Sequence, residues 1–417
     1  IKIIWGGWHP TISPNNSYQH ADYICVGKGE ISFINFINNL LENKNLENID
    51  GIYKEPPFYS SPLLYDLNLL PTTSCNYENE YFYNEVNCIE KLTIEKYLKK
   101  HYGIYHIFPG RGCPFKCKFC CAGNINETYG ISKKDFIRYR SVDHVMNELE
   151  EVIKDSNLKS IEIYDDEFLS KPYEYIKEFA IKYRKKVNLP FYTTFNPLSF
   201  NEEKLKCLVD AGLSRVRIGI QHGSLRMRKI YGRAESLERI LKVSKSLAKY
   251  QRYMAKPYDI DFILDSPWEN EDDLTDTLQL ISEMSGFFRF NQFQYVLIPG
   301  SRLYDEVVAG KHKEYIDSSE YEKYTNRYGG IGGELFSEEV TQGKSDILDN
   351  YNYYLKCVIM IISVYPLFSL FTQFFVSNFK VKMVRKVVFW LYLLSERFFS
   401  IRCMLFSLRC RIINQIY

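Results

Sequence analysis

From Ile104 onward the chain alternates short apolar runs with longer amphipathic ones, and this alternation constrains the fold more than any other feature. Strand-like runs near Ile104–Pro109, Lys159–Tyr164, Phe191–Asn196, Ser214–Gln221, Asp259–Leu264 and Gln292–Ile298 are separated by helical stretches such as Asp143–Lys154, Glu202–Ala211, Ser236–Lys249 and Asn270–Met284. Successive βα units of this kind build a parallel sheet. Acidic residues open several of the helices, where the helix dipole favours them. Six such units predict an α/β fold with an open, partial (β/α)6 barrel rather than a closed eight-stranded one.

The flanks read differently. Residues 1–45 have the pattern of the end of an α/β unit: a strand at Ile1–Trp5, a Gly-Gly turn with a polar loop, a strand at Tyr23–Val26, and Gly27-Lys28-Gly29-Glu30 leading into a helix over Ile31–Leu41. Residues 46–101 hold no sustained period and are broken by Pro56, Pro57, Pro62 and Pro71, which predicts a linker. The barrel is expected over 102–325 and a helical carboxyl-terminal region, rich in Phe, Tyr, Leu and Arg, over 326–417. Within the last region Cys357 to Phe379 carries no charge, a length that suits membrane contact. Its Ser363, Pro366, Ser369, Thr372 and Gln373, with Lys356 and Lys380 at the ends, favour a buried or membrane-surface helix over a spanning one.

Lys+Arg 53 against Asp+Glu 51 leaves a formal net charge of +2, so no global field recruits nucleic acid. Eleven Cys in 417 residues are too sparse for a disulfide scaffold, which points to a reducing cytoplasm. The opening IKIIWGGWHP has no initiating Met and no signal-peptide pattern, and is read as a truncated start.

The chemistry concentrates in Gly110-Arg111-Gly112-Cys113-Pro114-Phe115-Lys116-Cys117-Lys118-Phe119-Cys120, between the first strand and the first helix of the barrel. Electron-carrying iron-sulfur clusters take four thiolates. Three thiolates leave one iron open to bind a substrate group. Barrel enzymes place their sites on such βα loops. The competing reading is a zinc scaffold without turnover, with Cys121, His101 or His106 as a fourth ligand, but no second CxxC pair follows.

The CxxxCxxC loop, with Phe119 before its last Cys and six βα units around it, resembles the radical S-adenosylmethionine (SAM) superfamily. The resemblance implies that Cys113, Cys117 and Cys120 ligate a 4Fe-4S cluster whose open iron chelates SAM, with Phe119 against the adenine. It further implies that Asp166 and Glu167, in Tyr164-Asp165-Asp166-Glu167, receive the SAM ammonium group, and that Thr194 and Asn196 face its carboxylate or the substrate. By the same resemblance Gln221 and Ser224 meet the ribose, although His222 stands where a small hydroxyl residue is usual, and Arg233 pairs with the SAM carboxylate. Asp261 to Glu269 and Ile298 to Ser301 are similar to the family's later strand ends.

Trp5-Gly6-Gly7-Trp8-His9-Pro10 and Gly27-Lys28-Gly29-Glu30 resemble the last third of a cobalamin-binding domain, which implies a contact of Gly6, Gly7, Gly27, Gly29 and Glu30 with cobalamin. The motif carrying that family's axial His is absent from this chain, so cobalamin is expected only for a longer protein. The function implied is reductive cleavage of SAM to a 5'-deoxyadenosyl radical, with methyl transfer in the longer protein. Cyclisation or another oxidation without methyl transfer is the alternative. The expected partners are a small-molecule or peptide substrate and a reductase or flavodoxin-type electron donor.

Overall fold

The computed structural model describes residues 2–312, except 73–79, 84–87, 155–157, 265, 267 and 296, together with residues 358, 387 and 391. The polypeptide packs as two units. One comprises residues 1–71, 110–141 and 297–311, and the other 72–109, 142–296 and 312–417. The boundaries expected at 45, 101 and 325 follow changes in sequence character and differ from these.

The second unit holds a sheet of six parallel strands: β1 (Ile104–Ile107), β2 (Ser160–Ile163), β3 (Phe191–Phe195), β4 (Leu213–Gln221), β5 (Tyr258–Leu264) and β6 (Phe288–Gln294). Each strand pairs with its neighbour in sequence, so the order runs β6-β5-β4-β3-β2-β1. The connecting helices are α1 (Val142–Lys154), α2 (Tyr173–Lys186), α3 (Glu202–Asp210), α4 (Leu237–Tyr250) and α5 (Glu271–Glu283). This is the partial (β/α)6 barrel that the alternation predicts.

One face of the sheet makes the core. Ile161 and Ile163, Phe191 and Phe195, Val216 and Ile218, and Ile260 and Phe262 are buried with Val145, Leu149, Phe179, Leu208, Val243 and Leu278 of the helices. A strand points alternate side chains to opposite faces, so these positions two apart share one face. The helices start where caps are supplied. Asn270 and Asp273 form a reciprocal capping box at α5, Asn201 accepts from Lys204 N at 2.9 Å before α3, and Ser236 accepts from Arg239 N at 3.2 Å before α4.

The sixth strand departs from expectation. It runs over Phe288–Gln294 rather than Gln292–Ile298, because Phe288 and Phe290 are the side chains that reach the core, while Ser301 already caps a helix at Arg302–Val308. The segment expected as a linker also carries order: Ile52–Tyr53 pairs antiparallel with Tyr23–Cys25, Tyr81–Tyr83 pairs with Ile89–Lys91, and a helix covers Ile94–Lys100.

In the first unit, Ile4–Trp5 lies parallel to Tyr23–Cys25 and a helix runs over Gly29–Leu41. Tyr23, Cys25, Phe36, Ile49 and Ile52 form its small core. A short helix at Trp8–Ile12 occupies part of the expected polar loop. Among the described residues no helix is long and apolar enough to cross a membrane. The segment 357–379 lies outside the described residues apart from residue 358, as does most of 326–417.

Candidate active site

The cysteine loop belongs to the first unit. Gly110–Arg111 pairs antiparallel with Arg138–Tyr139, which fixes where the loop leaves. Cys113, Cys117 and Cys120 are half-exposed thiols that form no disulfide. Cys120 N donates to Cys117 O at 3.3 Å, and a tight turn follows over Cys121–Gly123. A side chain at Gly123 would stand 2.5 Å from the Cys117 carbonyl, so only glycine lets the chain close there.

Lys133 ties this loop from below. Its Nζ donates to Cys113 O at 3.3 Å and to Phe115 O. Burial pulls the ammonium below its ordinary range, while Cys113, Cys117 and Cys120 each act in the opposite sense, so all three sulfurs share one cationic neighbour. Among the described residues no three His, Cys, Asp or Glu side chains gather closely enough to hold a single metal ion.

Cys121 differs from its neighbours. Its Sγ donates to Pro299 O at 3.5 Å, and burial first, then Cys120, pushes its thiol up to about 11. Lys118 pairs with Glu306 at 2.9 Å and its carbonyl accepts from Leu303 N. Phe119 is half-buried.

Lys133→Ala should loosen the loop specifically. Removing two bonds from a charged donor, each worth about 1.5–3 kcal/mol net, should speed tryptic cutting of the apoprotein at exposed Lys116 by ~100-fold or more. Unchanged cleavage at Lys116 would show that Lys133 does not hold the loop.

The amino-terminal glycines have structural employment. Gly27 lies at φ +99°, and a side chain there would meet Ser61 Oγ at 2.6 Å and Tyr129 OH at 2.9 Å. Glu30, at the start of the Gly29–Leu41 helix, pairs with Arg111, two residues before Cys113. Burial would raise the Glu30 carboxyl, but the Arg111 bond and the charges of Arg111 and Lys28 hold it below the ordinary carboxylate range. Gly29 makes only ordinary contacts, Gly6 approaches Cys25 Cβ at 3.4 Å, and Gly7 opens onto clear space.

The strand ends belong to the second unit. After β2, Tyr164 and Asp166 are exposed, while Asp165 is buried and paired with Lys171. Glu167 is also buried: its carboxylate accepts from Asn196 N at 2.7 Å and from Ser199 Oγ at 2.6 Å, and burial pushes its carboxyl up to about 7. It therefore ties the end of β3 to the end of β2, and Asp166 is the carboxylate of the pair that reaches solvent. Thr194 is half-buried, and Asn196 Oδ1 is occupied by Leu198 N at 2.9 Å.

The end of β4 is packed rather than presented. His222 is wholly buried, with Nε2 2.8 Å from Glu269 Oε1. Ser224 N donates to His222 Nδ1 at 3.0 Å, which fixes the ring proton on Nε2 and makes it the donor to Glu269. Ser224 Oγ donates to Asp273 Oδ1 at 2.6 Å and accepts from Arg226 N at 3.2 Å, capping the helix Leu225–Ile230. Gln221 takes φ +72° at a strand irregularity. The Arg233 side chain is buried, with Nε 2.7 Å from Glu235 Oε1 and a terminal nitrogen on Gly219 O. Behind it, the buried Arg228 donates to Glu235 O. The structure thus brings Asp166, Glu167, Asn196, Gln221 and Ser224 to strand ends and Arg233 to the turn after the Leu225–Ile230 helix, and engages Glu167, Ser224 and Arg233 within the protein. Lys133, Arg228 and the Glu30–Arg111 pair were missed in the sequence, which offers no local signal for a partner brought in by folding.

Comparison with known proteins agrees with this architecture. Residues 107–281 match the model of the Radical SAM superfamily. An uncharacterised methyltransferase of Pyrococcus horikoshii is 24% identical over 322 residues, 74% of this chain and 63% of that protein. Bacteriochlorophyllide d C-8(2)-methyltransferase of Chlorobaculum tepidum is 22% identical over 331 residues, 77% of this chain and 65% of the other. The radical S-adenosylmethionine methyltransferase TsrM from Kitasatospora setae, solved with tryptophan substrate and a SAM analogue, aligns with TM-score 0.56 at 14% identity over 74% of this chain and 58% of its own, a likeness of fold. The chain spans less than two thirds of the length of each of these proteins.

Proposed function

We propose that this chain, whose residues 107–281 form a radical SAM domain, cleaves SAM reductively, and that it does so as part of a methyltransferase. The observation that carries the first part is the set of three half-exposed thiols of Cys113, Cys117 and Cys120 on one short loop that Lys133 braces through its carbonyls, with no fourth Cys in register. That donor set fits a four-iron cluster with one open corner. Such a cluster, when bound, supplies the electron that splits SAM to a 5'-deoxyadenosyl radical.

The chain's own residues do the positioning. Lys133 holds the loop carbonyls of Cys113 and Phe115. The Glu30–Arg111 pair anchors the strand that enters the loop. Exposed Asp166 offers the anion that a cationic amine needs, while buried Glu167 fixes the neighbouring strand end. Phe119, Thr194 and Gln221, all half-buried, remain the other candidate contacts for SAM.

Methyl transfer is supported by the names of both curated relatives and of TsrM. TsrM has also been solved with cobalamin and a 4Fe-4S cluster bound. Residues 1–45 as they stand do not fit cobalamin through the expected positions. The space at Gly27 is filled by Ser61 and Tyr129, and Glu30 is committed to Arg111. No part of the reaction is assigned to cobalamin here.

Anaerobic reconstitution with iron and sulfide tests the reading. A brown protein with broad visible absorption that releases 5'-deoxyadenosine from SAM on reduction is the expected result. A colourless, zinc-containing protein overturns it. Methylated product with S-adenosylhomocysteine, against 5'-deoxyadenosine alone, separates methyl transfer from other radical chemistry.

A further inference from the structure

The branched aliphatic side chains that fill closed barrels are few on the sheet face turned away from the helices, Ile104 and Ile263 among the described strand residues. On β4, β5 and β6 that face carries two charged ladders instead. In one, the carboxylate of Asp259 accepts from Arg215 Nε at 2.5 Å and from Arg289 Nε at 2.6 Å. In the other, Asp261 accepts from Arg217 Nε at 2.7 and 2.6 Å and from Asn291 Nδ2 at 2.9 Å. Three guanidinium groups thus meet two carboxylates.

The geometry of the first ladder is that of a prepared cation pair. Asp259 is 1% exposed, whereas the side chains of Arg215 and Arg289 are 32% and 41% exposed. Each arginine spends its Nε on the aspartate, and among the described residues its two terminal nitrogens have no hydrogen-bond partner. Stacking adds to the fixation, with Arg215 5.0 Å from the Tyr192 ring centroid and Arg217 5.1 Å from that of Phe293. A guanidinium whose Nε is anchored presents its terminal pair as a flat donor edge, the shape that a carboxylate or phosphate accepts.

Register places this edge along the barrel. Arg217, Asp259 and Arg289 lie opposite one another on the three strands. Arg215 precedes Gln221, the last residue of β4, by six residues, and Arg289 precedes Gln294, the last of β6, by five. At a rise of about 3.3 Å per residue, the ladder stands about 17–20 Å below the strand ends.

We propose, on the reading that the strand ends face SAM, that the substrate bears an oxyanion, a carboxylate or a phosphate, bound by the terminal nitrogens of Arg215 and Arg289. The reacting atom then lies about 17–20 Å away, at the carboxyl-terminal ends of the strands. The substrate class is an elongated, polar acid rather than a compact apolar molecule.

The test uses the reconstituted full chain and two probes, inorganic phosphate and succinate, titrated calorimetrically, with neutral succinamide as control. Saturable binding of either anion, but not of succinamide, is expected, and the tighter of the two identifies carboxylate or phosphate as the group recognised. Arg289→Gln and Arg215→Gln should each weaken it at least 10-fold. Arg289→Lys, which keeps the charge and loses the flat edge, should fall between, and it carries the test should either Gln variant fail to fold. Lys249→Gln, on the helical face, should bind as the parent does. Absence of saturable binding, or parent-like affinity in the folded Arg289 and Arg215 variants, overturns the proposal. SAM cleavage measured without added anion separates the two readings: its loss with anion binding intact removes the SAM chemistry alone, whereas intact cleavage without anion binding removes this site alone.

Discussion

Replacing any one of Cys113, Cys117 and Cys120 by Ala is expected to reduce both the iron-sulfur absorption and the release of 5'-deoxyadenosine to background, while Cys121→Ala keeps both. Three thiolates are the minimum that holds three corners of a four-iron cluster, and two leave it open to loss. Cys121 cannot take the place of a missing neighbour, because its Sγ is directed to Pro299 O and its thiol is pushed up to about 11, far from the thiolate. Iron and sulfide per chain, visible absorption and chromatographic assay of 5'-deoxyadenosine check the four variants together. Loss of the cluster in Cys121→Ala as well would mean that the loop needs every thiol to fold, and that selective ligation is wrong. Retention in a variant of Cys113, Cys117 or Cys120 would remove that residue from the ligand set.

The legibility of this chain divides along a physical line. Period-two alternation located the first five strands to within two residues, since burial of one sheet face is written directly into sequence order. The sixth slipped because Arg289 and Asn291 of the polar inner face interrupt Phe288 and Phe290, while Leu297 and Ile298 beyond it are apolar. The cysteines were legible because ligand spacing lies within one loop. Glu167, His222 and Ser224 stand just beyond strand ends that the alternation located, but where their side chains turn was not readable. Glu167 is fixed by Asn196, His222 by Glu269 and Ser224 by Asp273, partners that are distant in sequence and meet only when the barrel closes. The same holds for Glu30, which the resemblance assigned to cobalamin and which folding gives to Arg111, 81 positions away.

Glu167 makes that distinction measurable through pH. Its carboxyl rises from an ordinary 4.5 to about 7, mainly through burial, against the bonds from Ser199 and Asn196 and the charges of Lys171 and Arg233. Between these values the folded chain holds a proton that the unfolded chain has released. Stability therefore falls as pH rises through this window, by up to about 3 kcal/mol, is fully present below 4.5 and is lost above about 7. Glu167→Gln keeps an acceptor for Asn196 N and stays neutral, so it should abolish this slope, whereas Glu167→Ala should cost about 2–4 kcal/mol at pH 5 by leaving buried donors unpaired and a cavity. Denaturant unfolding of the parent and both variants at pH 5 and pH 7.5 measures these effects, and an equal slope in Glu167→Gln would contradict the assignment. Kinetics then separates the two carboxylates. If Glu167 holds the end of β3 rather than SAM, Glu167→Gln leaves the KM for SAM near that of the parent, and Asp166→Asn raises it, because Asp166 is the carboxylate that solvent reaches.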